Sequence, residues 1–261
     1  MSELLIIKIG GQVIDDPVTL QRFAQSLAAI DMPVIVVHGG GKVATRMSEQ
    51  LGIETKMIEG RRVTDASTLE VVVQVYAGTI NKQLVAQLQA QGKKAIGLTG
   101  ADGDLVRAKK RVHPKMDYGF VGDITNVNAG GLDELLQSGY LPVMAPITHD
   151  GAGQLFNTNA DTLAQSIAVA LSGFYQTTLV FGFEKAGVLR NRHDERSVIN
   201  RISRTEYEAL RANGVVSDGM IPKLDNAFTA LSGGVTKVII GKADQLTDLL
   251  NGKSGTTLLH E

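Results

Sequence analysis

The chain has 261 residues, 43% hydrophobic and 20% charged, with a formal net charge of −1, no cysteine and no tryptophan. That length suffices for one large α/β domain, or for two lobes on a shared sheet, with an ample core. The near-neutral balance gives no electrostatic footprint for nucleic acid or an anionic membrane, and the missing cysteine excludes disulfides, thiolate nucleophiles and Cys-based zinc sites.

Short apolar runs alternate with helical patterns along the chain. Residues 4–9 read as a buried strand, followed by a helix through Leu20, Phe23, Leu27 and Ile30. Residues 33–37 form a second strand, and Val43, Met47 and Leu51 mark the helix after it. A long helix is expected over 69–91, a strand over 95–99, a helix over 132–138 ended by Gly139, and a strand over 141–145. Then come a helix over 162–171, a strand over 178–181, helices over 205–212 and 223–231, and strands over 237–240 and 256–259. Continuous β-branched runs separated by helices imply a mainly parallel sheet covered on both faces, with right-handed crossovers. Residues 101–127 break this rhythm with Asp102-Gly103-Asp104 and Lys109-Lys110-Arg111; a hairpin flap near the ligand and a solvated surface excursion are equal readings. A second lobe begins near residues 171–178.

The N-terminus has no basic region followed by a long apolar stretch, and no apolar run reaches the roughly 18–20 residues of a membrane helix. A soluble cytoplasmic protein is expected, with no nucleic-acid or membrane partner.

Four separated segments carry the chemistry: Lys8-Ile9-Gly10-Gly11, His38-Gly39-Gly40-Gly41-Lys42, Asn157-Thr158-Asn159-Ala160-Asp161 and Gly219-Met220-Ile221-Pro222-Lys223. Glycines after a strand let backbone approach an anion, and the helix that follows presents free N–H groups and a partial positive charge. Lys8, at the end of a parallel strand, points into the crevice where such sheets bind ligands. Asn157, Asn159 and Asp161 alternate, so in an extended segment they share a face; equally, Asp161 could cap the helix expected from residue 162. Arg62 could grip a carboxylate bidentately, although a surface arginine is the ordinary case. Gly252-Lys253-Ser254 imitates the end of a P-loop, but Thr247 stands where the first glycine belongs. The five histidines show no metal-ligand spacing.

In order, these segments resemble the amino acid kinase family, and within it the branch that phosphorylates acylated glutamate. The likeness also rests on Arg62-Val63-Thr64-Asp65, Gly78-Thr79-Ile80-Asn81-Lys82, residues 97–103, Leu141-Pro142-Val143, Asp218-Gly219-Met220 with Lys223, and Gly255-Thr256. The resemblance implies an open αβα sandwich with a mainly parallel central sheet, the carbamate kinase-like fold. An N-terminal lobe (1–172) would bind the acylamino acid and dimerise; a C-terminal lobe (173–261) would bind ATP. It further implies that Lys8 and glycines 10, 11, 39 and 40 hold the transferring phosphoryl group, and that Lys223 neutralises charge toward ADP. Asp161 would orient both lysines, Arg62, Asn157 and Asn159 would bind the acylamino acid, and Gly219 and Met220 would contact ATP. Mg²⁺ would bridge the phosphates, held mainly by them. The implied reaction is ATP-dependent phosphorylation of the N-acetyl-L-glutamate side chain in arginine biosynthesis, with N-succinyl-L-glutamate as the alternative acceptor.

Two departures stand out. Where the family has a Thr/Ser-Asp-Val-x-Gly run, this chain has Phe183-Glu184-Lys185-Ala186-Gly187, so Glu184 and Gly187 are expected on the nucleotide side with altered adenine contacts. Seven residues precede Lys8 where arginine-inhibited hexameric relatives carry an extra helix, so a homodimer without arginine feedback is expected. Two rival readings remain. Gly39-Gly40-Gly41-Lys42-Val43-Ala44 fits a dinucleotide fingerprint with Glu59 as the ribose acid, the mark of an oxidoreductase. A non-catalytic ligand sensor is the other, opposed by retention of both lysines and Asp161.

Overall fold

A computed structural model describes residues 1–58, 60–191, 193–216 and 220–260, so the expectations placed on Glu59, Asp218 and Gly219 lie outside the described residues. The strands are β1 (Glu3–Ile9), β2 (Val34–His38), β3 (Met57–Ile58), β4 (Arg61–Arg62), β5 (Ala95–Leu98), β6 (Val106–Lys110) and β7 (Gly122–Val127). They continue with β8 (Leu141–Met144), β9 (Ile147–His149), β10 (Leu155–Asn157), β11 (Gln176–Phe183), β12 (Arg201–Ile202), β13 (Lys237–Lys242) and β14 (Thr256–Leu258). The helices are α1 (Gly11–Asp15), α2 (Pro17–Ala28), α3 (Gly41–Gln50), α4 (Ala66–Val73) and α5 (Asn81–Ala90). After them come α6 (Ala129–Gln137), α7 (Ala160–Leu171), α8 (Arg204–Ala212), α9 (Ile221–Ser232) and α10 (Leu246–Leu250). A π-helical stretch, Gln74–Ile80, joins α4 to α5, so the single long helix expected there is a continuous rod with a widened middle.

Eight strands form one sheet in the order β12-β14-β13-β11-β1-β2-β8-β5. Pairing is parallel through β13-β11-β1-β2-β8-β5; β14 runs antiparallel to β13. β1 sits where the chain, having built the sheet to one side through β2, resumes it on the other through β11. That is a switch point, and its crevice opens at the C-terminal end of β1.

The two-residue period of a strand decides which face each side chain serves. On β1, Leu4 and Ile6 enter one core with Leu163, Ile167, Leu224 and Phe228 of α7 and α9. Leu5, Ile7 and Ile9 enter another with Phe23, Leu27, Leu84 and Leu249 of α2, α5 and α10. Lys8 shares the parity of Leu4 and Ile6 and so lies under α7 and α9. On β2, Ile35 and Val37 belong to the first core and Val34 and Val36 to the second, which sends His38 toward α5.

Residues 101–127 form the hairpin β6–β7, paired antiparallel. Their sheet is larger than the sequence suggested: β9 pairs parallel with β6 and antiparallel with β10, giving the order β10-β9-β6-β7. Both added strands are three residues long, too short to leave a periodic signature.

Candidate active site

α7 begins at Ala160, two residues earlier than its apolar pattern suggested. Its cap is Asn159, whose side chain accepts from Thr162 N–H at 2.9 Å. This corrects both earlier readings of the segment. Asp161 does not cap the helix, and the Asn157–Asp161 stretch is not one extended face, because it passes from the end of β10 into a helical turn. Asp161 instead occupies the first turn of α7, where the helix dipole favours an anion.

There Asp161 meets both lysines. Its Oδ1 lies 2.6 Å from Lys8 Nζ, and its Oδ2 accepts from Lys223 Nζ at 2.8 Å. α9 packs beside α7 and carries Lys223 in its own first turn. The lysine and carboxylate side chains are 10, 22 and 14% exposed for Lys8, Lys223 and Asp161. Burial pushes the Asp161 carboxyl upward, but the two ammonium charges outweigh that and hold it below the ordinary carboxylate range. For Lys8, burial lowers the affinity for its proton and Lys223 adds to that, while Asp161 opposes both. Two cations sharing one anion leave a single uncompensated positive charge at the switch point.

Beside this triad run the two glycine loops. Gly39 N–H donates to Ile9 O at 3.0 Å, tying the loop after β2 to the loop after β1. A Cβ on Gly10 would stand 3.7 Å from Lys8 Nζ, so that backbone lies directly against the ammonium. At Gly40 a Cβ would come within 2.3 Å of Ile80 Cδ1 and 3.0 Å of the Tyr76 ring, both buried, so the loop is pressed onto the π-helical rod.

A cavity of about 170 Å³ adjoins the loops, lined by Gly39, Gly40, Gly41, Met57, Arg62, Tyr76, Val121, Pro146, Asn157, Asn159 and Ala160 among others. Arg62 is only 6% exposed, contrary to the ordinary surface case. Its Nη2 donates to Gly41 O at 2.8 Å and to Thr45 Oγ1 at 2.7 Å, and its Nη1 to Thr55 Oγ1 at 3.0 Å; Nε is buried without a partner. Nη2 belongs to both forks that a guanidinium can present, so a bidentate carboxylate grip requires releasing the Gly41 or the Thr45 bond. Asn157 Nδ2 donates to Thr64 Oγ1 at 3.0 Å, and that hydroxyl donates to Arg62 O at 2.9 Å, which joins the two expected substrate ligands through one threonine.

The remaining expected residues sit apart from this cavity. Met220 holds the N-cap position of α9 and makes no side-chain cap bond. Glu184 is exposed and lines a separate pocket with Phe183, Lys242 and Asp244 beyond the ends of β11 and β13. Gly187 is buried against the last strand, where a Cβ would meet Thr256 Oγ1 at 2.8 Å. Sequence reading missed Thr45, Thr55, Tyr76 and Met57. Thr45 lies one turn after the glycine loop and was findable from helical spacing; Thr55, Met57 and Tyr76 are placed only by tertiary packing.

Residues 3–242 match the amino acid kinase family. The chain belongs to that family. It is 51% identical over 247 residues to an acetylglutamate kinase of Bacteroides thetaiotaomicron, covering 95% of this chain and 96% of that one. Among solved structures it resembles smu.665 of Streptococcus mutans, with a TM-score of 0.83, 27% identity and 99% of each chain covered. A Giardia carbamate kinase, 14% identical, shares the fold alone with a TM-score of 0.72, covering 100% of this chain and 99% of that one. This amino acid kinase is therefore an α/β phosphotransferase whose mainly parallel sheet matches the open sandwich expected of it.

Proposed function

We propose that this kinase transfers the γ-phosphoryl group of ATP to the side-chain carboxylate of N-acetyl-L-glutamate, giving N-acetylglutamyl 5-phosphate and ADP in arginine biosynthesis. The observation that carries the reading is Asp161 bridging Lys8 and Lys223 beside two glycine loops. The chain's 51% identity to a protein named acetylglutamate kinase supports the choice of acceptor.

The nucleophile is a carboxylate with a reference pKa of about 4.3, ionised at neutral pH, so no general base is required. The barrier is electrostatic, since an anion attacks a polyanion. Lys8, directly against the Gly10 backbone, would meet the transferring group, and Lys223 would stabilise charge moving onto the ADP oxygens. Asp161 fixes both ammonium groups before substrate arrives, so little reorganisation is left for the transition state. Gly40 N–H would add a neutral donor, and Arg62 and Asn157 would hold the amino-acid end. Each Asp161 oxygen lies against a lysine, and no group of three or more histidines and carboxylates that could hold a metal ion occurs among the described residues. Magnesium brought in with ATP would supply further charge neutralisation.

By the same reading the 1–172 half holds the acylamino acid and the 173–261 half the nucleotide, with Glu184 and Met220 on the nucleotide side. The protein is a cytoplasmic homodimer; sedimentation velocity at micromolar concentration would return a single monomeric species if the dimer is wrong. No helix among the described residues is long and apolar enough to cross a membrane.

The deciding experiment compares ADP release from MgATP with N-acetylglutamate, N-succinylglutamate, glutamate and aspartate. Turnover highest with N-acetylglutamate is expected. A preference for the succinyl compound moves the acyl assignment to the alternative, and no turnover with either acylglutamate removes the proposal.

A further inference from the structure

His38 is fully buried on the side of the sheet away from the lysine triad, and it does not line the cavity beside the glycine loops. Its ring is nevertheless held at both nitrogens. Nδ1 lies 2.8 Å from Gly39 O, and Nε2 lies 3.2 Å from Asn81 Nδ2. The Asn81 amide is fixed in turn: Nδ2 donates to Val143 O at 2.8 Å, and Oδ1 accepts from Lys82 Nζ at 3.1 Å. Lys82 Nζ also donates to Gly97 O at 3.0 Å. The space for this chain is built in, because a Cβ on Gly97 would fall 1.9 Å from Asn81 Oδ1 and 2.7 Å from Lys82 Nζ.

With Asn81 presenting an N–H, Nε2 must accept, so Nδ1 carries the proton and donates to the Gly39 carbonyl. A planar trans peptide points its N–H opposite to its C=O. Holding the Gly39 carbonyl inward therefore turns the Gly40 N–H outward, and Gly40 lines the cavity. No described residue accepts from that N–H.

We propose that His38 is a positioning residue: through the Gly39 carbonyl, and locked in one tautomer by Asn81 and Lys82, it aims the Gly40 N–H at an oxygen of the transferring phosphoryl group. The oxygen's identity rests on the functional reading above; the orientation of the peptide does not. Burial, with a smaller push from Lys82, lowers the His38 pKa to about 4 against the opposing Gly39 bond, which keeps the ring neutral where the enzyme works. Asn81 and Lys82, part of the ordered set of motifs but without a role in the transfer itself, find one here.

Two measurements test this. In the folded wild-type protein with ¹⁵N-labelled histidine, NMR should show His38 neutral and protonated at Nδ1 at pH 7, with the resonance assigned by its loss in His38→Asn. An Nε2-protonated ring or an imidazolium would overturn the proposal, whatever the enzyme's substrate. In kinetics, His38→Leu should lower kcat roughly 10- to 100-fold, the scale of a misplaced reacting group, with KM for ATP within about twofold. His38→Asn, which keeps an N–H near the Nδ1 position, should recover most of that loss, and Asn81→Ala should fall between. A folded His38→Leu enzyme with wild-type kcat, or equal losses in the leucine and asparagine variants, would reduce His38 to packing. Should wild type phosphorylate no acylglutamate, the functional reading fails while the tautomer measurement still decides the peptide's orientation.

Discussion

Lys8 keeps its ammonium group where burial works against it, and it does so because Asp161 stands 2.6 Å away. The arrangement is useful only if something anionic is to arrive, since a buried ion pair alone is a weak source of stability. Replacing Lys8 or Lys223 with alanine should therefore lower kcat by on the order of 10²–10³, the usual cost of removing one preorganised donor, in an ADP-release assay. Asp161→Asn is a different kind of lesion. It leaves two like charges facing each other in a mostly buried site, so it should cost about 3–5 kcal/mol of folding stability, read by urea denaturation, as well as activity. Unchanged stability would mean the lysines had found other partners or lost their protons.

At the scale of single elements, α7 is the working part, because its first turn delivers Asp161 while its apolar side packs on β1. Asn159→Ala removes the cap and should cost about 1 kcal/mol, seen as a lower thermal midpoint. Much of this was legible in the chain. The apolar runs located every strand of the main sheet except β12, the place of Lys8 at the end of a parallel strand foretold that it faces the crevice, and the glycine runs marked the loops. Other features were not legible for stated reasons. The start of α7 was set two residues late because its opening turn is polar, and the polar residue that caps it was passed over for the acid that follows. β9 and β10 are too short to show alternation. Two partners of Arg62, Gly41 and Thr45, lie one turn apart on α3, but no spacing rule joins that turn to Thr55 or to Arg62 itself. The His38–Asn81 contact links residues 43 positions apart; it becomes visible only when the parity of β2 is combined with the register of α5.

For the molecule as a whole, acid stability follows from which groups are held in one charge state. His38 titrates near 6.5 when unfolded and at about 4 when folded. Above pH 6.5 it is neutral in both states and contributes no pH dependence. Between 6.5 and 4 the unfolded chain takes up a proton that the folded chain refuses, so stability falls by about 3 kcal/mol across that window. Asp161, depressed in the fold, adds its own loss only below its ordinary value of 3.8. Urea denaturation at pH 7.5, 5.5 and 4.5 should show this decline in wild type and a shallower one in His38→Asn; equal slopes would place the acid sensitivity elsewhere.

The sheet runs unbroken across the middle of the chain, with β1 paired to β11 from Glu3↔Gln176 to Ile9↔Gly182. Severing the backbone between Ser172 and Gly173 would tear an adhesive seam, not free two self-sufficient halves. Each fragment would bare a long apolar strand margin that is a ready template for pairing. Expressed singly the pieces should be insoluble, and expressed together they should zip back into a working enzyme, so this kinase is suited to use as a complementation reporter with its join at that bond.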